Sequence, residues 1–369
     1  MLVDVMRKLV DKLDVSVPEH EVGAPFFSNS SYKAFPISKE NFRKIEMVES
    51  DRKLAFVDGG NQEILGAPNF SVQFNRVYFC TFAAQQRILN NNLPNRIEFL
   101  SLTCSTFRNE EIIYDTMLFP LDDKYLRLLP EESDLSFNSF DRTVTVGTQR
   151  ADIERVASIA RRFAEWKYAF HVIEKELSEG DVLVVDGTLQ TAFTNEFKYA
   201  RKVYDAGKSR GVIITGLSKT SHLFTTTGLS LLGAVRKVAD DSNIGGTWYV
   251  PIAEVKTSDH NAFIFVVKLN PLADHVFRFE VYREQFEQLG FDGINEILSQ
   301  LVKNSEDISF PGYPYGLVDA DRFARVSETE AASYQAVLLS EISKKGKWPK
   351  FSRHIRSLDA HDILNMLMG

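Results

Sequence analysis

The sequence predicts an α/β fold: a mixed β-sheet with helices packed on it. Three observations predict this. Leu54-Ala55-Phe56-Val57 and Val182-Leu183-Val184-Val185 are uninterrupted apolar runs, which read as strands buried on both faces. Residues 71–83 and 96–107 are apolar-rich and flank the turn signal Asn90-Asn91-Asn92-Leu93-Pro94-Asn95, so with the first run they suggest an antiparallel meander. Residues 151–179 place Ile153, Val156, Ala160, Phe163 and Phe170 three or four positions apart, with Lys167 out of character, as a long helix does. Strands, helix, strand, helix and strand in that order make a mixed sheet.

The remaining elements follow in chain order. Val3, Met6, Val10 and Leu13 give residues 1–20 a short amphipathic helix, and Pro25, Pro36 and the Ser28–Ser31 cluster make 21–50 loop-rich. The first core strand covers 53–58, and Gly59-Gly60 is read as ending it in a sharp turn. Residues 120–150 are polar and Pro- and Asp-containing, an exposed insertion. Gly180 is placed as the cap of the long helix. The second core strand follows directly, then a helix over 195–206 and a buried strand from Gly211 that opens into Leu217-Ser218-Lys219-Thr220. Strands are expected at 247–256, 262–268 and 276–282, and helices at 284–303, 319–343 and 353–368. No clean break appears, so residues 1–369 read as one elaborated domain.

Composition narrows the function classes. The chain is 44% hydrophobic and 25% charged, with 28 phenylalanines, enough for a large aromatic core. A net charge of −7 is not the footprint of a strongly basic nucleic-acid binder, although carboxylates that hold a divalent ion count as negative in that sum. Cys80 and Cys104 are the two cysteines, expected as buried thiols rather than a disulfide or zinc site. No run approaches a membrane span and the N-terminus lacks the order of a signal peptide, so a cytoplasmic protein is expected. The seven histidines form no metal pattern, and there is no Walker A loop, nucleophile elbow or dinucleotide fingerprint.

Both apolar runs end in Asp-Gly, at Asp58 and Asp186. A carboxylate beside a core strand is costly unless paired or metal-bound. Two of them on neighbouring strands suit Mg²⁺ or Mn²⁺, which prefer oxygen ligands, and phosphodiester hydrolysis uses such ions. The plainer alternative is that each Asp caps a turn through its own hydrogen bond. A third carboxylate is open among Glu110, Glu111, Glu154, Glu165, Glu174 and Glu176. Glu165 follows Arg161 and Arg162 by four and three residues, which also suits a solvated ion pair. Lys219, flanked by hydroxyls at a strand end, can contact a phosphate or be an ordinary loop lysine. Asp319 or Asp321 can cap the helix after Pro311-Gly312-Tyr313-Pro314-Tyr315-Gly316, and Tyr313 can stack on a base or hold a phosphate.

In this order, Phe56-Val57-Asp58-Gly59-Gly60, Arg161-Arg162-x-x-Glu165, Val184-Val185-Asp186-Gly187-Thr188-Leu189, Gly216-Leu217-Ser218-Lys219-Thr220-Ser221, Gly312-Tyr313-Pro314-Tyr315 and the tail Asp359-Ala360-His361-Asp362-Ile363-Leu364-Asn365 resemble the NurA nuclease family. The resemblance spans residues 54–365. It implies an RNase H-like core, here roughly 50–283, with a helical part over 284–369. It further implies a Mn²⁺- or Mg²⁺-dependent DNA nuclease, with 5′–3′ exonuclease and single-strand endonuclease activity in end resection and double-strand break repair. The implied assembly is a homodimer working with a HerA-type hexameric ATPase. On the family pattern Asp58, Glu165 and Asp186 are the metal ligands, with Lys219 and Tyr313 as further active-site members. One position departs: where the family often has a His eight residues after the tyrosine, this chain has Asp321. Asp can bind metal but cannot meet a phosphate as a cation. The alternative functions are a non-catalytic RNase H-like DNA clamp or regulator of an ATPase motor, and a phosphatase-like enzyme. The latter wants a second acid shortly after its aspartate, where this chain has Asn61, Gln62, Leu189 and Gln190.

Overall fold

The computed structural model describes residues 1–16, 21–307 and 310–355. The N-terminal helix α1 (Leu2–Ser16) has no buried residue. The three expected meander strands, β1 (Lys53–Ala67), β2 (Phe70–Ala83) and β3 (Arg96–Arg108), are joined by a fourth that was not expected, β4 (Glu111–Pro120), each antiparallel to the next. Helix α2 (Ile159–Glu176) leads to β5 (Val182–Asp186), helix α3 (Glu196–Arg210) to β6 (Ile213–Ser218), and helix α4 (Leu231–Asp241) to β7 (Trp248–Lys256), β8 (Asn261–Lys268) and β9 (Phe277–Tyr282). Helices α5 (Arg283–Asn304), α6 (Tyr315–Ala324), α7 (Glu328–Lys344) and α8 (Trp348–Ile355) follow.

One mixed sheet takes the long strands in the order β7-β8-β9-β6-β5-β1-β2-β3-β4, with short strands at its edges. Only the pairs β5–β6 and β5–β1 are parallel among these. The expected mixed sheet with flanking helices and a helical C-terminal part is what the chain forms. Side chains alternate across the sheet. Ala55 and Val57 join the cluster under α2 and α3. Leu54 and Phe56 join the opposite cluster, with Val182, Val184 and the apolar faces of α5 and α6. The central strands are thus covered on both faces, which is why their sequences are continuously apolar.

Several expectations are corrected. β1 does not stop at Asp58 but runs through Gly59-Gly60 to Ala67. Those glycines are there for close approach: a Cβ on Gly59 would overlap the Glu165 carboxylate, and one on Gly60 the Ala324 carbonyl. The 151–179 helix is two, Ile153–Ala157 and α2, divided at Ser158. α2 ends at Glu176, so Gly180 (φ +86°) serves the turn into β5 instead. The insertion at 120–150 is not simply exposed: Leu128, Leu129, Leu135, Phe137 and Val144 are buried in the α2-side core, and Ser136–Asn138 pairs with β4. The 319–343 helix is also two, because Val326 turns into the core and Ser327 caps α7 by accepting from Glu330 N. Asp319 and Asp321 lie inside α6, whose cap position is Pro314, so neither caps it. Cys80 is buried but Cys104 is only half-buried; both are free thiols. The motif at 359–365, and the 353–368 helix beyond Ile355, lie outside the described residues.

Candidate active site

The centre of the sheet determines the site. β1 and β5 are parallel and in register, Val182 to Leu54 through Val185 to Val57. The next residues on the two strands are Asp58 and Asp186, so they project side by side on the α5–α6 face. β5 ends there, where Gly187 takes φ +118°, a conformation open to glycine. Helix α6 brings a third acid over the pair. It can come so close because Gly316 lies flat on Phe56, where any Cβ would overlap the ring. Asp58, Asp186 and Asp321 each offer a carboxylate oxygen within 4.8 Å of the others.

The surroundings of each acid differ. Asp58 accepts a hydrogen bond from Gly59 N at 2.8 Å. Burial, then the charges of Asp186 and Glu165, push its carboxyl up to about 8 despite that bond and Lys219. Asp186 accepts from the Tyr313 hydroxyl at 3.2 Å and pairs with Lys219 at 2.8 Å. The Lys219 ammonium also reaches Asp321 at 2.9 Å. Burial would lower its pKa, but Asp186 and Asp321 together raise it. Tyr313 is only 1% exposed and packs on Phe277 and Phe310. It therefore has no face free to stack on a base, and its hydroxyl is turned to Asp186.

Glu165 approaches from the other face of the sheet, on α2. Its carboxylate rests against Gly59 and pairs with Arg161, which also donates to the Gly59 carbonyl at 3.2 Å. Burial raises its pKa, Arg161 and Arg162 oppose that, and Asp186 adds to the rise. Glu165 is thus electrostatically coupled to the two aspartates without belonging to the group of three. The other candidates stand outside this group. Glu176 accepts from Asn92 N and Leu93 N. Glu110 and Glu111 sit at the β3–β4 hairpin, lining a hollow with Phe107 and Arg150. Glu154 and Glu174 hold no place in the cluster of three.

The residues fit a divalent cation. All the donors are carboxylate oxygens, the set that Mg²⁺ and Mn²⁺ prefer. The Lys219 ammonium lies between Asp186 and Asp321 as a stand-in cation.

Sequence reasoning missed a second cluster, on the α2–α3 face. Glu280 of β9 is fully buried and accepts from His260 Nε2 at 2.9 Å and Leu189 N at 2.8 Å, and pairs with Arg278 at 2.5 Å. His260 Nδ1 in turn bonds the Tyr32 hydroxyl at 2.8 Å. Burial alone would raise the Glu280 pKa, but Arg278 and His260 hold it down to about 2. Leu189 is three residues beyond Asp186, so this cluster anchors the loop that leaves the acidic site. That loop crosses β6 at Gly216, where a Cβ would lie 2.6 Å from the Gly187 carbonyl. The only advance signal was the glycine itself.

Comparison with known proteins gives the following. The family model described as the NurA domain matches residues 52–326. No curated protein matches the sequence significantly. Among solved structures, the chain is similar to the NurA nuclease from Sulfolobus solfataricus, with 14% identity and a TM-score of 0.49 over 84% of this chain and 89% of that one. It is also similar to Ciona intestinalis Endonuclease V in complex with a 24mer DNA, with 8% identity and a TM-score of 0.35 over 75% and 90% of the two chains. For Argonaute from A. aeolicus the values are 11% and 0.29, over 76% and 29%.

Proposed function

The chain belongs to the NurA nuclease family, and from that premise we propose that it is a metal-dependent DNA nuclease that hydrolyses phosphodiesters with Mn²⁺ or Mg²⁺. The observation that carries the reading is the group Asp58, Asp186 and Asp321, within 4.8 Å of one another beside Lys219. Asp58, Asp186 and Asp321 hold the ion on this reading, and Glu165, across the sheet, adds negative charge that a bound cation would offset. When bound, the ion supplies Lewis acidity at the phosphate and a more acidic attacking water. Tyr313 keeps Asp186 in its ligating rotamer through the hydroxyl hydrogen bond. Lys219, which pairs with Asp186 and Asp321, would with a cation held by those acids be free to meet a phosphate oxygen as a point charge. Asp58 acts as a base or ligand only when ionised.

The finer parts of the reading rest on family resemblance. They are 5′–3′ exonuclease and single-strand endonuclease activity in DNA end resection and double-strand break repair, homodimerisation, and a HerA-type ATPase partner. Residues 1–369 act as one elaborated nuclease unit in the cytoplasm. Among the described residues no helix is long and apolar enough to cross a membrane. An assay on end-labelled DNA with Mn²⁺, Mg²⁺ or EDTA tests the proposal. Cleavage that needs the ion and disappears in Asp58→Ala is expected. No cleavage by the unmutated protein, even with its ATPase partner, would leave the DNA-clamp reading instead.

A further inference from the structure

A hollow of about 340 Å³ is walled by aromatic side chains. Two come from a small antiparallel ribbon that joins Pro25–Phe26 to Phe224–Thr225, with Phe26 directly opposite Phe224. Directly opposed residues share one face of a ribbon, so the two rings project from the same face. They are 55% and 51% exposed, respectively. Tyr32 lines the hollow too, stacked on Phe27 with centroids 4.4 Å apart. Gln190, His222 and Asp259 complete its polar wall.

Chain connectivity ties this hollow to the acids. Gln190 follows Asp186 by four residues and His222 follows Lys219 by three. At most about 3.5 Å per residue, their Cα atoms lie within about 14 Å and about 11 Å of those residues. That is a span of about four nucleotides or fewer at 3.4 Å or more per nucleotide. The hollow is also fixed relative to the site. Tyr32 on its wall is bonded to His260, His260 to Glu280, and Glu280 to Leu189 N in the loop after Asp186. The wall and the acid are thus parts of one hydrogen-bonded frame.

We propose that this hollow is a base-binding subsite, in which Phe26 and Phe224 stack on an unpaired base of the DNA strand whose phosphate lies over Asp58 and Asp186. The inference rests on the nuclease reading and specifies its substrate as single-stranded at this position. The Asp259 carboxylate on the wall repels a phosphate, so the base is the part that enters, and Gln190 and His222 offer hydrogen bonds to its edge. A paired base keeps both its faces within the duplex and has none to give to the rings. Aromatic faces accept any base, so the preference is for an unpaired strand rather than for a sequence.

Phe26→Ala/Phe224→Ala in the full chain tests this, with labelled oligo-dT as the probe. Base stacking is worth about 5- to 150-fold in affinity per base. The expected result is a rise of about tenfold in Kd, measured by fluorescence anisotropy in EDTA, and in KM for cleavage of single-stranded DNA with Mn²⁺. Phe→Trp at both positions restores both values, which separates stacking from a folding defect. One abasic position near the cut, scanned along the strand, weakens binding to the unmutated protein and not to the double variant. Unchanged Kd and KM in a protein that still cuts DNA would overturn this inference alone. A change in oligomeric mass with unchanged KM would overturn it by making the face a contact between copies. An unmutated protein that neither binds nor cuts the oligonucleotide would overturn the nuclease reading, and this inference with it.

Discussion

The two faces of the central sheet each bury acid, and they treat it in opposite ways. On the α2–α3 face Glu280 has a guanidinium, an imidazole and a backbone N–H, and its pKa falls to about 2. On the α5–α6 face Asp58 has one backbone N–H and two acidic neighbours, and its pKa rises to about 8. Burial opposes ionisation at both places; the partners decide the outcome. Glu280 is compensated within the chain and serves the fold. The group around Asp58 is compensated only in part, by one shared lysine, and is open to a further cation from solution. Perturbed acids of the second kind are the ones to expect where chemistry is done.

Exchanging the two acids for neutral residues breaks the comparison most sharply. On the proposed function, Asp58→Ala or Asp186→Ala removes an ion ligand, and several kcal/mol of transition-state stabilisation go with it. Cleavage of end-labelled DNA with Mn²⁺ falls about 10³-fold or more. Glu280→Gln leaves Arg278 buried and unpaired. Urea denaturation then shows a loss of about 3 kcal/mol or more, while divalent-ion affinity changes far less than in the aspartate variants.

The acids also respond to pH with opposite signs. The folded-state pKa of Asp58 lies above its ordinary value of 3.8, so its contribution to stability is full below pH about 4 and is lost as pH rises to about 8. That of Glu280 lies below its ordinary 4.5, so its contribution is present above that pH and is lost as pH falls through about 2. Hence Asp58→Asn raises Tm in metal-free buffer at pH 9 and not at pH 4. Melting scans at the two pH values check this, and a lower Tm at pH 9 would count against it. The smallest effect belongs to Asp321→Asn. Its side chain is 55% exposed, so the lost ion pair with Lys219 costs no more than about 1 kcal/mol. Activity falls less than for Asp58→Ala, as kcat under saturating Mn²⁺ will record.

Much of the Asp58 side was legible in the sequence. Two apolar runs, each closing on Asp-Gly, read as core strands, and the parallel register the structure shows sets their acids together. What followed Asp58 was misread, because glycine signals both turns and close approach. Only tertiary contact tells that Gly59 makes room for Glu165, and this same contact singles out Glu165 among six glutamates. The three-residue loop before α7 was hidden because apolar spacing continues across it. The Glu280 side was illegible for a different reason. Tyr32, Leu189, His260 and Glu280 are far apart in the chain, and no periodicity records a hydrogen bond between distant residues.

The central claim is that Asp58 and Asp186 hold one divalent ion between them. Isothermal titration of Mg²⁺ into the full chain tests it directly in the unmutated protein, Asp58→Asn and Asp186→Asn. Saturable binding that weakens at least about tenfold in each single variant is the expected result. Equal affinity in all three proteins would contradict the account.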